Sequence, residues 1–342
     1  MKGSDGLKDK DIESLNEIVS SGVNNVYTGA SILIGKNQDI LYKNTFGTKD
    51  EKERLTEEDI FDLASVTKVV GTATAVMRLI DEKQIKLEDK IGKFIEVSSP
   101  KSEVTIFELL THTSGMQAYS NLWEEYRGEE LLKYIINIQP QENAYKCYEY
   151  SCLNFITLMK IVEEVTQKNF KEYVEDIFKK IGMANTCFNP KNKDKAVSTS
   201  IREGKRLKGV VEDELAYSLG GVSGNAGLFS NASDLRIFII SLLNGEIVSK
   251  DTLDLFITTL VKRGENTTHI AWMAPPVAGC QYSLDSTGFG HNGFTGTSIW
   301  IRKDGLFSIF LTNSVYYDRF LKKPELNVIR NKINNIIFRK DH

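Results

Sequence analysis

The stretch from Ser65 to about Glu82 sets Val69, Val70, Ala73, Val76, Met77 and Ile80 so that a helix there is apolar on nearly every side. Such a helix has no face to give to water, so the chain must build structure all round it. At 342 residues there is enough chain to do so, as one large domain or two lobes.

What surrounds the helix is legible from periodicity. Upstream, Ile12, Leu15, Ile18 and Val19 form an apolar stripe that predicts a helix over 9–22. Residues 29–35 and 39–46 read as strands joined by the Lys36-Asn37-Gln38 turn, and the charged run Thr48 to Asp59 as a solvated loop. Helices are predicted at 105–111, 129–138, 152–166, 168–180 and from Asn231 to about Leu243. Past residue 265, strands are expected at 267–273, 279–285, 296–302 and 306–312, and an amphipathic helix at 327–339. Strands at both ends and helices between them predict an α+β (mixed α/β) fold. One antiparallel sheet, flanked by the terminal helices, joins an all-helical lobe. With no repeat or linker in sight, residues 1–342 read as one domain, the sheet lobe at about 1–60 and 246–342 and the helical lobe at about 61–245.

Charge and composition remove several function classes. Lys plus Arg is 43 and Asp plus Glu is 46, a formal charge of −3, which gives no reason to expect nucleic acid as a partner. No apolar run reaches the ~18 residues of a membrane helix. The first residues, Met1 to Gly6, lack the apolar core of a signal peptide, so a cytoplasmic protein is expected, or an exported one if a leader precedes it. Cys147, Cys152, Cys187 and Cys280 form no Cys-x-x-Cys pair and read as free thiols. His112, His269, His291 and His342 show no metal-ligand spacing, so neither metal nor other cofactor is expected.

At the start of the apolar helix lies Ser65-Val66-Thr67-Lys68. Residues i and i+3 share a helix face, so the Lys68 amine can reach the Ser65 hydroxyl. A free helix N-terminus favours negative charge developing there. A lysine in a dry pocket is expected to have a lowered pKa and to accept a proton. The competing reading makes Ser65 a helix cap and Lys68 a surface residue. Ser98-Ser99-Pro100-Lys101 repeats the spacing, but in a proline-containing loop. In Tyr148-Glu149-Tyr150-Ser151-Cys152, a tyrosine beside a cationic lysine can serve as general base, or can simply be core. Residues 288–293 match Gly-x-Gly-x-x-Gly, yet Ser298-Ile299-Trp300-Ile301 after them is a strand, not the helix a dinucleotide needs. Those glycines suit a ligand lying against backbone. Gly220 to Gly227 reads as a crowded loop that can wall a pocket.

Together these stretches resemble the serine β-lactamase and penicillin-binding-protein superfamily, in particular its class C β-lactamase and esterase-like branch. The likeness rests on Phe61 to Lys68, Leu109-Leu110-Thr111-His112-Thr113-Ser114-Gly115, Ala226-Gly227-Leu228-Phe229-Ser230 and Gly290 to Thr297, in family order from about residue 25 to 315. The resemblance implies that Ser65 is the acylated nucleophile and that Lys68 is its proton acceptor or electrostatic partner. Tyr150 becomes the general base, and His291-Asn292-Gly293 stands where Lys-Thr-Gly edges the pocket. The backbone N–H groups of Ser65 and Phe294 become the oxyanion hole, and Asn292, Gly293, Thr295 and Cys152 touch substrate. Two positions depart from the pattern. Cys152 replaces the Asn of Tyr-x-Asn, whose amide reads the substrate's amide side chain, and a thiol cannot substitute for it. His291 replaces a lysine, so a substrate carboxylate is attracted less.

The expected function is therefore a serine hydrolase working through an acyl-enzyme on a small ester, D-amino-acid peptide or amide. Esterase or D-alanyl-peptidase activity is favoured over efficient β-lactamase activity. The alternative from another class is a non-catalytic or slowly deacylating penicillin-binding or cell-wall-fragment sensor on the same fold.

Overall fold

The computed structural model describes residues 7–141, 147–281 and 288–339. Helix α1 (Asp9–Ser20) leads into strands β1 (Gly29–Lys36) and β2 (Asp39–Gly47), and a short strand β3 (Phe61–Asp62) precedes the buried helix. Its α-helical part is α2 (Thr74–Asp81), followed by α3 (Ile106–Leu110), α4 (Gly128–Asn137), α5 (Cys152–Thr166) and α6 (Phe170–Ile181). Then come β4 (Cys187–Phe188), the hairpin β5 (Ile201–Arg202) and β6 (Lys205–Arg206), α7 (Glu214–Ser218) and β7 (Leu228–Ser230). Helices α8 (Ala232–Asn244) and α9 (Lys250–Thr258) are followed by a hairpin of β8 (Val261–Arg263) and β9 (Asn266–Thr268). Strands β10 (Phe289–Asn292), β11 (Ser298–Ile301) and β12 (Leu306–Thr312) and helix α10 (Lys323–Ile337) complete the chain.

The main sheet has the order β10-β11-β12-β1-β2, every neighbour antiparallel, so both chain ends do share one sheet. β1 is buried along nearly its whole length, which is why Ala30-Ser31-Ile32-Leu33-Ile34 reads as a continuous apolar run instead of an alternation. Side chains still alternate. Ala30, Ile32 and Ile34 pack with Leu15 and Val19 of α1 and Leu326, Ile329 and Ile333 of α10. Leu33 faces the opposite way, into the larger core with Ile309, Leu311, Phe238 and Ile239. Helix α8 packs on β1 and β12, bringing residues from the middle of the chain onto the sheet.

The buried helix is real but not uniform. Residues Ala64–Val66 form a 3-10 turn, Lys68–Ala73 a π-helical segment, and only then does α2 begin. The Thr74 hydroxyl donates to the Val69 carbonyl five residues back at 2.9 Å, the reach a π turn leaves open. Ser65 thus sits one irregular turn before the helix proper. The second sheet, β3-β7-β4, anchors it from behind, and Leu63 N–H donates to Leu228 O at 2.9 Å.

Two expected strands need correction. In place of 267–273 the ladder stops at Thr268, because His269 N–H closes a turn on Trp272 O and Ala271 takes φ +66°. Residues 279–281 form no strand, since Cys280 N–H donates to Val277 O at 2.9 Å and closes a tight turn there, and 282–287 lie outside the described residues. The strand edging the pocket is instead β10, within the glycine-rich stretch. Helix α9, absent from the sequence reading, is capped by Ser249, whose hydroxyl accepts from Thr252 N–H at 3.2 Å. Helix α10 begins at Lys323, four residues earlier than expected, with Pro324 in its first turn.

Candidate active site

Ser65 is held from three directions. The Asp62 carboxylate accepts Ala64 N–H at 2.9 Å and Glu212 N–H at 2.7 Å, tying the turn to the 212–214 loop. Ala64 takes φ +46°, a strained conformation for a non-glycine residue directly before the serine. From the sheet side, Thr295 Oγ1 donates to Asp62 O at 2.7 Å and Thr297 Oγ1 to Leu63 O at 2.9 Å. These bonds bring the segment after β10 against the residues before Ser65. Gly293 is required at that approach, because a Cβ there would lie 2.1 Å from Thr297 Oγ1 and 2.5 Å from Leu63 O. Gly293→Ala is expected to cost about 1–3 kcal/mol by overpacking and to slow acylation together with the loss of melting temperature. An unchanged labelling rate by a serine-directed probe would contradict this clamp.

Around the serine, Lys68 is fully buried. Its Nζ donates to Ser65 Oγ at 3.1 Å and to Asn225 O at 3.1 Å, and lies 3.6 Å from Cys152 Sγ. The Tyr150 ring centroid is 4.9 Å from Nζ. Tyr150 in turn stacks on His112, centroids 4.6 Å apart, and lies 6.1 Å from the His291 ring. His112 Nδ1 accepts the Ser151 N–H at 3.0 Å, which places its own N–H on Nε2 and fixes the ring beneath Tyr150. Ser65, Lys68, Tyr150 and Cys152 therefore converge.

The electrostatics depart from expectation. Burial pushes the Lys68 pKa down, but Cys152 and Tyr150, then Asp213, outweigh it, and the ammonium is held above its ordinary range. That direction favours Lys68 as the electrostatic partner of Ser65 over Lys68 as its proton acceptor. Burial raises Tyr150, while the Lys68 charge and hydrogen bonding to Ser65 and Lys68 pull it back in part. Burial and then Lys68 depress His112 well below the usual histidine range, and the same two causes push His291 down to about 3.

Two cavities meet at Ser65. The one on the Cys152 side, about 410 Å³, is walled by Tyr119, Trp123, Phe294, Phe320, Glu212, Asp213, Glu214 and Arg319. The groove on the other side, about 280 Å³, is bordered by Asn292, Gly293, Phe294 and the α10 residues Lys323, Asn327 and Arg330.

Two expected site residues fall elsewhere. Thr295 is fully buried with its hydroxyl given to Asp62 O, so it braces the site rather than facing substrate. His291 is 1% exposed and hydrogen-bonded through Nδ1 to Asn292 O, beneath Tyr150 and outside the lining of both cavities. The second Ser-x-x-Lys match is no pair at all. Ser98 Oγ accepts from Gln139 Nε2 at 3.1 Å, while the buried Lys101 donates to Ile135 O at 3.2 Å. Burial pushes Lys101 down to about 7, below its unfolded value. The unfolded chain therefore binds the extra proton between those two values, and the folding penalty is full below about pH 7 and fades as pH rises. Lys101→Met is expected to gain about 2–4 kcal/mol of stability near pH 6 and much less near pH 9. Chemical denaturation at the two pH values checks this.

Sequence reasoning missed Asp213 and Asn225. The Asn225 side chain accepts from Ser223 Oγ at 2.6 Å and lies beside Asp213 and Cys152. Asp213 caps α7, accepting Ala216 N–H at 2.8 Å. The crowding of Gly220 to Gly227 was the only available signal. Gly224 packs so closely that a Cβ would lie 2.0 Å from Phe155 O.

Among the described residues, no group of three or more His, Cys, Asp or Glu side chains could hold a metal ion, and no helix is long and apolar enough to cross a membrane. The chain is 29% identical over 350 residues to the "Putative D-alanyl-D-alanine carboxypeptidase" of Escherichia coli (strain K12), covering 84% of this chain and 79% of that protein. Its fold is similar to that of a D-amino acid amidase from Ochrobactrum anthropi SV3, with a TM-score of 0.76 at 18% identity over 96% of this chain and 98% of the other. It is similar too to a class C beta-lactamase, with a TM-score of 0.76 at 16% identity and 95% coverage of each. The Beta-lactamase family model matches residues 15–329, and the chain belongs to that family, within the serine-hydrolase-related superfamily of β-lactamases and penicillin-binding proteins.

Proposed function

We propose that this protein is a serine hydrolase of the esterase or D-alanyl-peptidase kind, in which Ser65 is acylated by an ester or amide and water releases the acyl group. One observation carries the reading: Lys68 Nζ, buried and cationic, lies 3.1 Å from Ser65 Oγ where two substrate-sized cavities meet. Lys68 stabilises the charge that develops as the serine attacks. The phenolate form of Tyr150, favoured by that cation, takes the serine proton and returns it to the leaving group. The N–H groups of Ser65 and Phe294 receive the oxyanion, each such donor contributing roughly 3–4 kcal/mol in the transition state.

The substrate side favours D-alanyl peptides, amides and esters over β-lactams. Cys152 offers no amide to a β-lactam's acylamino group. His291 is neutral and covered, so positive charge for a leaving-group carboxylate comes from Lys323, whose Nζ lies over the Phe294 ring at 3.7 Å. Similarity to the E. coli "Putative D-alanyl-D-alanine carboxypeptidase" and to the D-amino acid amidase supports this choice. Turnover of p-nitrophenyl acetate, a D-alanyl-D-alanine peptide and a chromogenic cephalosporin, each with wild type and Ser65→Ala, tests it. The expected result is turnover of the first two, abolished in Ser65→Ala. A burst without turnover on all three supports the sensor alternative instead.

A further inference from the structure

We infer that His112, which takes no part in the proton transfer itself, is the positioning residue for Tyr150 and sets the phenol against Ser65 and Lys68. The inference rests on the reading of Tyr150 as the general base, and it names what holds that base in place.

His112 stands where the chain leaves α3, and its φ of +57° lies in the left-handed region. Glycine or asparagine is the usual residue at such a helix end. Nothing in the turn calls for a histidine, so what the residue adds is its ring and its ring nitrogens. The side chain is buried, which turns both toward the protein.

His112 holds Tyr150 at three points. Its carbonyl accepts the Glu149 N–H at 2.9 Å, and its Nδ1 accepts the Ser151 N–H at 3.0 Å. The two residues flanking Tyr150 in the chain are thus bonded to one and the same residue. The third point is the ring contact, with centroids 4.6 Å apart and planes inclined by 35°. Backbone bonds on both sides of a residue fix the direction in which its side chain leaves the chain. A ring face then limits the side-chain rotation that remains.

This hold is preorganised. The imidazole also packs on Phe155 of α5, with centroids 5.3 Å apart, and Tyr148 meets it edge-on at 6.0 Å. Lys68, Tyr148, Tyr150 and His291 are the titratable groups around it. Burial first, then the Lys68 charge and His291, keep the imidazole well below the usual histidine range. It is therefore neutral at neutral pH, and Nδ1 remains an acceptor. A protonated ring would lose the bond to Ser151 and set a second cation beside Lys68.

Other contacts hold the segment without holding the phenol. Ser151 Oγ donates to Gln117 O at 2.7 Å, Cys152 N–H to Ala118 O at 2.9 Å, and Ala118 N–H to Glu149 Oε1 at 3.0 Å. These bonds keep residues 148–152 docked when His112 is replaced. A change at His112 then acts on the aim of Tyr150, and misplacing a catalytic group by about 1 Å can cost roughly 10²-fold in rate.

Two variants test this, each made in the wild-type and the Tyr150→Phe backgrounds. His112→Gly suits the left-handed backbone and removes the ring and Nδ1. His112→Asn also suits it, and its Oδ1 occupies the place of Nδ1. Rapid mixing with p-nitrophenyl acetate gives the acylation rate constant and the half-saturating concentration separately. His112→Gly is expected to lower the rate constant by about 10–100-fold while moving the half-saturating concentration by less than about twofold. His112→Asn is expected to react at least about threefold faster than His112→Gly, because it keeps the bond to Ser151. In the Tyr150→Phe background His112→Gly is expected to cost less than about twofold more, since no base is left to aim. A wild-type rate in His112→Gly, a His112→Asn protein no faster than His112→Gly, or an equal loss in both backgrounds would overturn the inference. An equal loss beside a slow Tyr150→Phe protein overturns the inference alone, whereas a Tyr150→Phe protein reacting at the wild-type rate overturns the base assignment with it.

Discussion

Lys68→Met is expected to lower the acylation rate constant by about 10²–10³-fold while leaving the fold intact. The methionine fills nearly the same volume in a site that is fully buried. What disappears is the cation 3.1 Å from Ser65 Oγ, and with it the attraction that stabilises negative charge on the serine and on Tyr150. The Asn225 carbonyl loses its donor, at a cost of about 1–3 kcal/mol that thermal melting will register. Rapid-mixing measurement of acylation separates the chemical step from the folding effect. A variant that acylates at the wild-type rate would remove Lys68 from the chemistry.

Tyr150→Phe should be at least as damaging, by about 10²–10⁴-fold, because it removes the hydroxyl that relays the proton but keeps the ring on His112. The pH dependence supplies the second part of the test. Tyr150 acts as phenolate, and burial holds its pKa above the ordinary value despite Lys68, so the neutral form prevails at pH 7. The acylation rate is then expected to rise roughly tenfold per pH unit from about pH 6 to about pH 9. His291, pushed down to about 3, stays neutral across that range and adds no inflection. Since Lys68 favours the phenolate, Lys68→Met is expected to move the rising limb to higher pH, and Tyr150→Phe to flatten it. A wild-type rate flat across this range would contradict Tyr150 as base.

How much of this was legible beforehand depended on the physical range of each signal. Periodicity located β1, β2, α5 and α8 because burial on a repeating face is a local property of the sequence. It failed at 267–273 and 279–281, where tight turns at Ala271 and between Val277 and Cys280 decide the path and apolar content does not. The Ser65–Lys68 pair was readable because i and i+3 are neighbours on any helix-like turn, even this irregular one. The charge state of Lys68 was not, because it depends on Cys152, Tyr150 and Asp213, which arrive from 82 or more residues away. Thr295 was misread for a related reason. Its neighbours in the chain face the groove, but its own hydroxyl is claimed by Asp62 O. His291 and Cys152 stood out in the sequence, yet only the packing showed that the histidine lies beside Tyr150 while the thiol lines a cavity.

The central claim is that Ser65 is the atom acylated. Incubation of the wild-type protein with a fluorophosphonate, followed by intact mass measurement and peptide mapping, tests it most directly. One adduct per chain is expected, on the peptide carrying Ser65, faster at alkaline pH and absent in Ser65→Ala. An adduct on another residue, or none between about pH 6 and about pH 9, would contradict the account.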